Sequence, residues 1–285
     1  MSIEPTTALE WSRRALINVV HILAEHLDSF TLIGGHAVQL QTEHLDIPHL
    51  PTVDGDLVVF PATLEATPHL GNLLREAGYV PRTPHRPGLW GRGEYLNRLG
   101  RPDWREKIDL MAPRGFSGTV SATRRSVPAT SSQHGPETVG NTAGLELTVF
   151  DRTKRTLIDV ADPTLTAPLF VAGRPSLIVA KSLKIHDRLT TRKSMASIDK
   201  DVGDLWRLLA TSDPTETIDA FRRYADKEFV GTSIHAGITA LSAILDDPAN
   251  VERTVLTFGS AVGRETIVDL FGRWSSHIRQ FVLSG

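Results

Sequence analysis

The 285-residue chain contains no cysteine. That excludes disulfides, thiolate zinc sites and cysteine nucleophiles together, leaving carboxylates and histidines to supply any metal site. No charge of one sign dominates: 31 Lys and Arg stand against 33 Asp and Glu, a formal net charge of −2. This argues against wholesale coating of nucleic acid and leaves room for a local basic patch. No segment reaches the apolar length that spans a membrane, and Met1 to Glu10 lack the basic-then-apolar pattern of a secretory signal. A cytoplasmic protein with no membrane partner is the expectation. Repeats, heptad runs and low-complexity tracts are also missing from the sequence. What is present is 40% hydrophobic residues among well-mixed charges, a composition that supports a packed core and, at this length, two lobes.

Apolar periodicity predicts a helix over residues 8–27, a short strand over 30–33, a glycine turn at Gly34-Gly35 and a second helix over 36–42. The two prolines in 46–51 read as a loop, and the valine-rich 55–60 as a strand. A helix over 64–77 ended by Gly78 and a strand over 106–111 follow. Residues 113–144, rich in Ser, Thr, Gly and Pro, read as long loops around short edge strands. A hairpin is expected from 145–150 and 155–160 around Asp151 to Lys154, then a strand over 169–172. Beyond Pro175 the pattern is helical, with segments at 176–189, 198–209 and around 215–228, 231–246 and 263–282. The expected fold class is α/β (α+β): a mixed sheet with flanking helices in a domain of residues 1–172, and a C-terminal helical bundle lobe of 173–285.

In Thr52-Val53-Asp54-Gly55-Asp56 two carboxylates lie two residues apart at a strand's start, so strand periodicity points both to one face. Their repulsion is relieved by a cation, and for oxygen-only ligands that cation is Mg²⁺ or Mn²⁺, which also accept phosphate oxygens. Taken alone, the pair reads more readily as a solvated turn with two exposed aspartates. Asp109, between Ile108 and Leu110 in a sheet strand, adds a third carboxylate in a place that disfavours Asp. Three aspartates on neighbouring strands are an arrangement that holds metal for displacement at phosphorus. Gly34-Gly35, opening a helix, exposes backbone N–H groups that stabilise phosphate.

Leu32-Ile33-Gly34-Gly35-His36-Ala37, then Thr52-Val53-Asp54-Gly55-Asp56, then Asp109 resemble the nucleotidyltransferase superfamily, and within it the AbiEii group with its MenT-type toxins. The resemblance implies metal at Asp54 and Asp56, a supporting or metal role for Asp109, and nucleotide contact by Gly34, Gly35 and Thr52. The chain departs from the pattern in three ways. Its interval from Gly35 to Asp54 is longer, Gly55 replaces a larger residue, and His49-Leu50-Pro51 stand where an arginine is common.

In the helical half, Lys181, Lys184 and Arg188 fall in one sector at about 100° per residue, making a basic stripe on a helix expected to be capped by Ser176. Asp201, at the edge of the next helix's apolar face, requires a cationic partner such as Lys181 or Arg188, with Asp204 one turn on. The same family's helix lysine and Lys/Arg-Asp-x-x-Asp helix are matched by Lys181, Arg188, Lys200, Asp201 and Asp204. That similarity implies nucleotide-phosphate contact by Lys181, and Arg188, Asp201 and Asp204 join the expected nucleotide site. The expected reaction is transfer of a nucleoside monophosphate from an NTP to a hydroxyl. The resemblance implies a tRNA 3′-end as acceptor and a toxin neutralised by an antitoxin. Arg124, Arg125, Lys184, Arg192 and Lys193 are the candidate RNA-phosphate contacts. Nucleotidylation of a small antibiotic-like hydroxyl compound or of a protein side chain stays open, as does a non-catalytic nucleotide-binding module.

Overall fold

The computed structural model describes residues 3–118, 127–191 and 194–284. These residues form two compact units. The first comprises Met1–Ala37, Pro51–Thr142 and Arg152–Ala172, the second Val38–Leu50, Ala143–Asp151 and Gly173–Gly285. The division is therefore not a single cut after residue 172. Among the described residues, no helix is long and apolar enough to cross a membrane.

The first unit is built on a mixed eight-stranded sheet. Its strands are β1 (Phe30–Ile33), β2 (Gly55–Val59), β3 (Val80–Pro81), β4 (Leu89–Leu96), β5 (Pro102–Pro113), β6 (Gly140–Thr142), β7 (Arg152–Ile158) and β8 (Thr166–Ala172). The order is β3-β4-β5-β2-β1-β8-β7, with β6 added beside the end of β5. β2 runs antiparallel to β1 and parallel to β5, and β1 runs parallel to β8. Helix α1 (Ala8–Ile22) packs on β5, β8 and β2. It opens with a capping box, in which Thr7 accepts from the Glu10 amide and the Glu10 carboxylate accepts from the Thr7 amide. Arg14 from α1 makes a two-point ion pair with Asp159 just past β7, at 2.6 and 3.1 Å. α1 is shorter than the expected 8–27, because 24–29 tighten into a 3₁₀ helix. Helix α3 (Leu70–Glu76) is likewise shorter than 64–77. Pro68 lacks an amide donor and restricts Thr67 to extended backbone, so the helix starts only after His69, whose ring accepts from the Asn72 amide.

The second unit is mainly helical. It contains α5 (Arg174–Thr190), α6 (Met195–Ala210), α7 (Pro214–Tyr224), α8 (Val230–Asp246), α9 (Pro248–Val262) and α10 (Arg264–Ser284). α9 was not anticipated; Asp247 caps it, with Pro248 in its first turn. Ser176 is not the cap of α5. Gly173 holds that position, Pro175 sits in the first turn, and the Ser176 hydroxyl donates to the Gly173 carbonyl.

The expected hairpin is also corrected. Residues Glu146–Val149 form a 3₁₀ helix, and the hairpin is β7 with β8. Glu146 and Thr148 are buried along with Leu145, Leu147 and Val149, so the segment has no exposed face such as a strand's alternation would leave. Asp151, which closes this segment, accepts from the Ser176 amide at 2.9 Å and so ties it to α5. Residues 38–50 are held to the same unit by Arg207 of α6. Fully buried, its guanidinium donates to the Thr42 hydroxyl and to the Ile47 and Pro48 carbonyls.

Candidate metal centre

The register of three strands sets the site. Ile33 of β1 pairs with Asp56 of β2, and Asp56 pairs with Asp109 of β5, so the three stand in one row across the sheet. In-register neighbours on paired strands present their side chains to the same face, which brings the two carboxylates together. Asp54, two residues before Asp56, shares its face by alternation. One carboxylate oxygen from each of Asp54, Asp56 and Asp109 lies within 4.8 Å of the other two. All three residues are partly buried.

Gly34 closes one side of this group. It has φ +69°, and a Cβ there would stand 2.0 Å from Oδ2 of Asp56. Any L side chain would be strained and would occupy the carboxylate's own place. The backbone of the turn that opens α2 (Gly34–Gln41) therefore lies directly against the triad. Gly35 follows, buried, in the first turn of that helix.

Gly55 points the other way. A Cβ on it would come within 2.5 Å of the Leu16 side chain and 2.8 Å of Ile108 Cδ1. The departure from a larger residue between the aspartates thus has a packing cause: Leu16 of α1 fills the space that such a side chain would take.

Behind the turn lies a buried polar chain. Arg13 Nε donates to His36 Nδ1 at 3.1 Å, and His36 Nε2 is 2.9 Å from the Ser12 hydroxyl. An arginine can only donate, so Nδ1 accepts, Nε2 carries the proton, and the imidazole is the neutral tautomer donating to Ser12. The Ser12 hydroxyl has two carbonyl acceptors in reach for its one proton, Leu9 at 3.0 Å and Thr52 at 3.3 Å. The chain connects α1, the glycine turn and the loop that carries Asp54. Thr52, 2% exposed, directs its own hydroxyl to the Asp54 carbonyl at 3.5 Å, a weak contact within the loop.

Arg82, immediately after β3, ion-pairs with Asp109. Sequence reasoning missed it, because it sits between Pro81 and Pro84 with no periodic pattern to mark it. The ion pair balances one of the three negative charges. The Arg13–His36–Ser12 chain was also missed as a functional feature. Its only sequence signal was His36 beside the glycine pair.

The donor set suits a hard cation. A six-coordinate Mg²⁺ binds oxygens at about 2.1 Å, which puts adjacent ligands roughly 3 Å apart and opposite ones roughly 4 Å apart. One oxygen from each carboxylate within 4.8 Å of the other two leaves room for such an ion, and an all-carboxylate set completed by water or phosphate oxygens fits Mg²⁺ or Mn²⁺.

The Lys181 group of candidates belongs to the helical unit. Lys181 is 3% exposed and donates to Asp201 at 2.9 Å and Asp204 at 2.6 Å. Arg188 also pairs with Asp201, Lys184 approaches it at 3.5 Å, and Lys200 reaches Asp204 at 3.2 Å. Burial opposes charge on Lys181, yet the two carboxylates outweigh it and raise its pKa above the ordinary lysine value. For Asp201 burial is likewise opposed and overcome by Lys181, Lys184 and Arg188, which hold it well below the usual carboxylate range. Two of the three Lys181 donors are thus committed within its own unit. Four cations face two carboxylates, and the surplus positive charge lies on the more exposed Lys184, Arg188 and Lys200. Arg124, Arg125, Arg192 and Lys193 lie outside the described residues.

No family model, no curated protein and no solved structure matches the chain.

Proposed function

We propose that the Asp54, Asp56 and Asp109 triad holds Mg²⁺ or Mn²⁺ and that the protein transfers a nucleoside monophosphate from an NTP to a hydroxyl. The observation that carries this reading is the convergence of the three carboxylates against the Gly34 turn. A bound divalent cation supplies Lewis acidity to the α-phosphate and lowers the pKa of the attacking hydroxyl. The chain's own residues do the rest. Asp54 and Asp56 anchor the cation, and Asp109 completes the set while Arg82 restrains it. The Gly34-Gly35 turn presents backbone amides to phosphate oxygens without a side chain in the way. The hydroxyl oxygen bonds to the α-phosphorus, the bond from that phosphorus to the β-phosphate oxygen breaks, and pyrophosphate leaves. The hydroxyl proton passes to a carboxylate or to water, and no covalent enzyme intermediate is required. His36, neutral and fully buried, holds Ser12, whose hydroxyl in turn approaches the Thr52 carbonyl of the loop that carries Asp54.

The resemblance to AbiEii toxins supports a tRNA 3′-end as acceptor and a cognate antitoxin as partner. Incubation with each labelled NTP, Mg²⁺ and total tRNA is expected to label the tRNA with the wild-type protein only. Equal labelling by Asp54→Ala would overturn the mechanism. The Arg82 ion pair favours one second reading, a nucleotide-binding module without turnover, because it already satisfies one of the three carboxylates. Tight Mg²⁺–NTP binding with no transfer to tRNA, small hydroxyl compounds or protein would select it.

A further inference from the structure

The first unit carries a cavity of about 330 Å³, lined among others by Trp11, Val53, Tyr95, Trp104, Arg105 and Lys107. Three of its nine lining residues are aromatic in a chain that is only 6% aromatic. The pocket adjoins the triad along the chain: Val53 precedes Asp54, and Lys107 lies two residues before Asp109 on β5, about 7 Å along the strand. Val53 is 46% exposed, an apolar side chain left uncovered one residue before Asp54 in the chain.

The aromatic groups are fixed in place. The Trp104 ring lies against Gly91 of β4, where a Cβ would come within 2.6 Å of it, so only glycine at that position lets the indole rest on the backbone. The Arg105 guanidinium sits over the Trp11 ring, 5.4 Å from its centroid. Lys107 is paired with Asp103, whose carboxylate also accepts from the Tyr95 hydroxyl at 3.3 Å. The pocket therefore combines indole surfaces, a guanidinium plane and hydrogen-bonding groups. These recognise a flat heteroaromatic ring with polar edges and an anionic tether. A simple hydrocarbon ligand would leave Asp103 and Lys107 poorly solvated without compensation.

We propose that this pocket is a nucleobase subsite, which seats the base of a nucleotide whose phosphate or hydroxyl lies at the triad. The inference rests on the proposed function for its second half, the tether to the metal centre. The same chemistry has two sources, the base of the incoming NTP and the terminal base of a polynucleotide acceptor.

Calorimetric titration of the full chain in Mg²⁺ separates them, using the four NTPs, inorganic tripolyphosphate and a short single-stranded RNA as probes. Trp104→Ala is expected to weaken a base-bearing probe by about five-fold or more, the scale of one lost stacking contact. Trp104→Phe should retain most of the affinity, and tripolyphosphate should bind all three proteins alike. Weakening of the NTPs assigns the pocket to the incoming base; weakening of the RNA alone assigns it to the acceptor. Unchanged affinity of Trp104→Ala for every base-bearing probe overturns the subsite and leaves the triad reading intact. Loss of tripolyphosphate binding in Trp104→Ala also overturns it, since the effect would then be a distorted metal centre. Tripolyphosphate binding that survives Asp54→Ala overturns the triad reading and not the pocket, and failure of the wild-type protein to bind any nucleotide overturns both.

Discussion

Gly34 is the residue on which the geometry of the three-aspartate cluster turns. Its positive φ and the 2.0 Å approach of a Cβ to Asp56 are separate obstacles to any other amino acid. Gly34→Ala is therefore expected to destabilise the fold by more than about 1 kcal/mol, the cost of forcing alanine into a left-handed backbone. It should also displace the Asp56 carboxylate and weaken Mn²⁺ binding, read by calorimetry beside a thermal melt. A melt that drops while Mn²⁺ affinity stays at the wild-type level would show that the turn does not shape the site. At this scale much was legible in advance. Asp54, Asp56, Asp109 and the glycine pair can be picked out because carboxylates in strands and glycines at strand–helix junctions are costly unless used. Arg82 and the Arg13–His36–Ser12 chain could not be. Arginine, histidine and serine are at home in many settings, and what distinguishes these is who their neighbours are across tens of residues.

Among the elements, α5 and α6 are joined by an ion cluster that excludes water almost completely at Lys181. Lys181→Met would leave Asp201 and Asp204 without their central cation. The expected loss is about 3–5 kcal/mol, as for other broken buried pairs, measured by urea unfolding. A change within about 0.5 kcal/mol would mean that Arg188, Lys184 and Lys200 suffice. A second cluster binds α3 and α4 (Pro128–His134) to the 3₁₀ helix after α1. His134, fully buried, stands edge-on to His26 and His69 with ring centroids 5.9 and 5.7 Å away, and its Nδ1 accepts from the Leu70 amide. Burial first, then the charges that His26 and His69 can carry, push the His134 pKa below the usual histidine value. A histidine whose folded pKa is depressed binds its proton more readily when unfolded. Its contribution to stability is thus complete above the unfolded pKa, near 6.5, and is lost as pH falls from there towards the folded pKa. Unfolding free energy should decline on acidification from pH 7.5 through pH 6, and His134→Gln should flatten that slope. An identical slope in the variant would remove His134 as its source. The pairing of Asp201 with the basic stripe was legible, since both lie on recognisable amphipathic helices. The histidine cluster was not, because its members come from three separate segments and share no spacing.

For the whole molecule, the interleaving of the two units is the feature that a linear reading could not supply. Residues 38–50 lie between β1 and β2 in the chain, yet they belong with the helices, held by a buried arginine 160 residues or more downstream of Thr42 and Ile47. A fragment of residues 173–285 would leave the Arg207 guanidinium without its carbonyl and hydroxyl acceptors and α5 without the Asp151 contact to Ser176. An unpartnered buried charge costs several kcal/mol. The fragment is expected to lack a cooperative melt by circular dichroism, and a sharp transition like that of the full chain would contradict this.

The sequence by itself determined the mixed α/β class, the helical character of the residues beyond 175, the strands that bear Asp56 and Asp109, though not the full length of the second, and the glycine turn. Each of these is written in local terms: apolar periodicity, strand propensity, and the backbone freedom of glycine. Tertiary structure alone decided that Asp56 and Asp109 stand in register beside Gly34, that 145–150 is not a strand, that Arg82 reaches the third carboxylate, and that Trp11, Tyr95 and Trp104 line one pocket. Register and pocket lining depend on which distant segments pack together. The energy that selects them is long-range burial and hydrogen bonding, of which a single stretch of sequence carries only one partner.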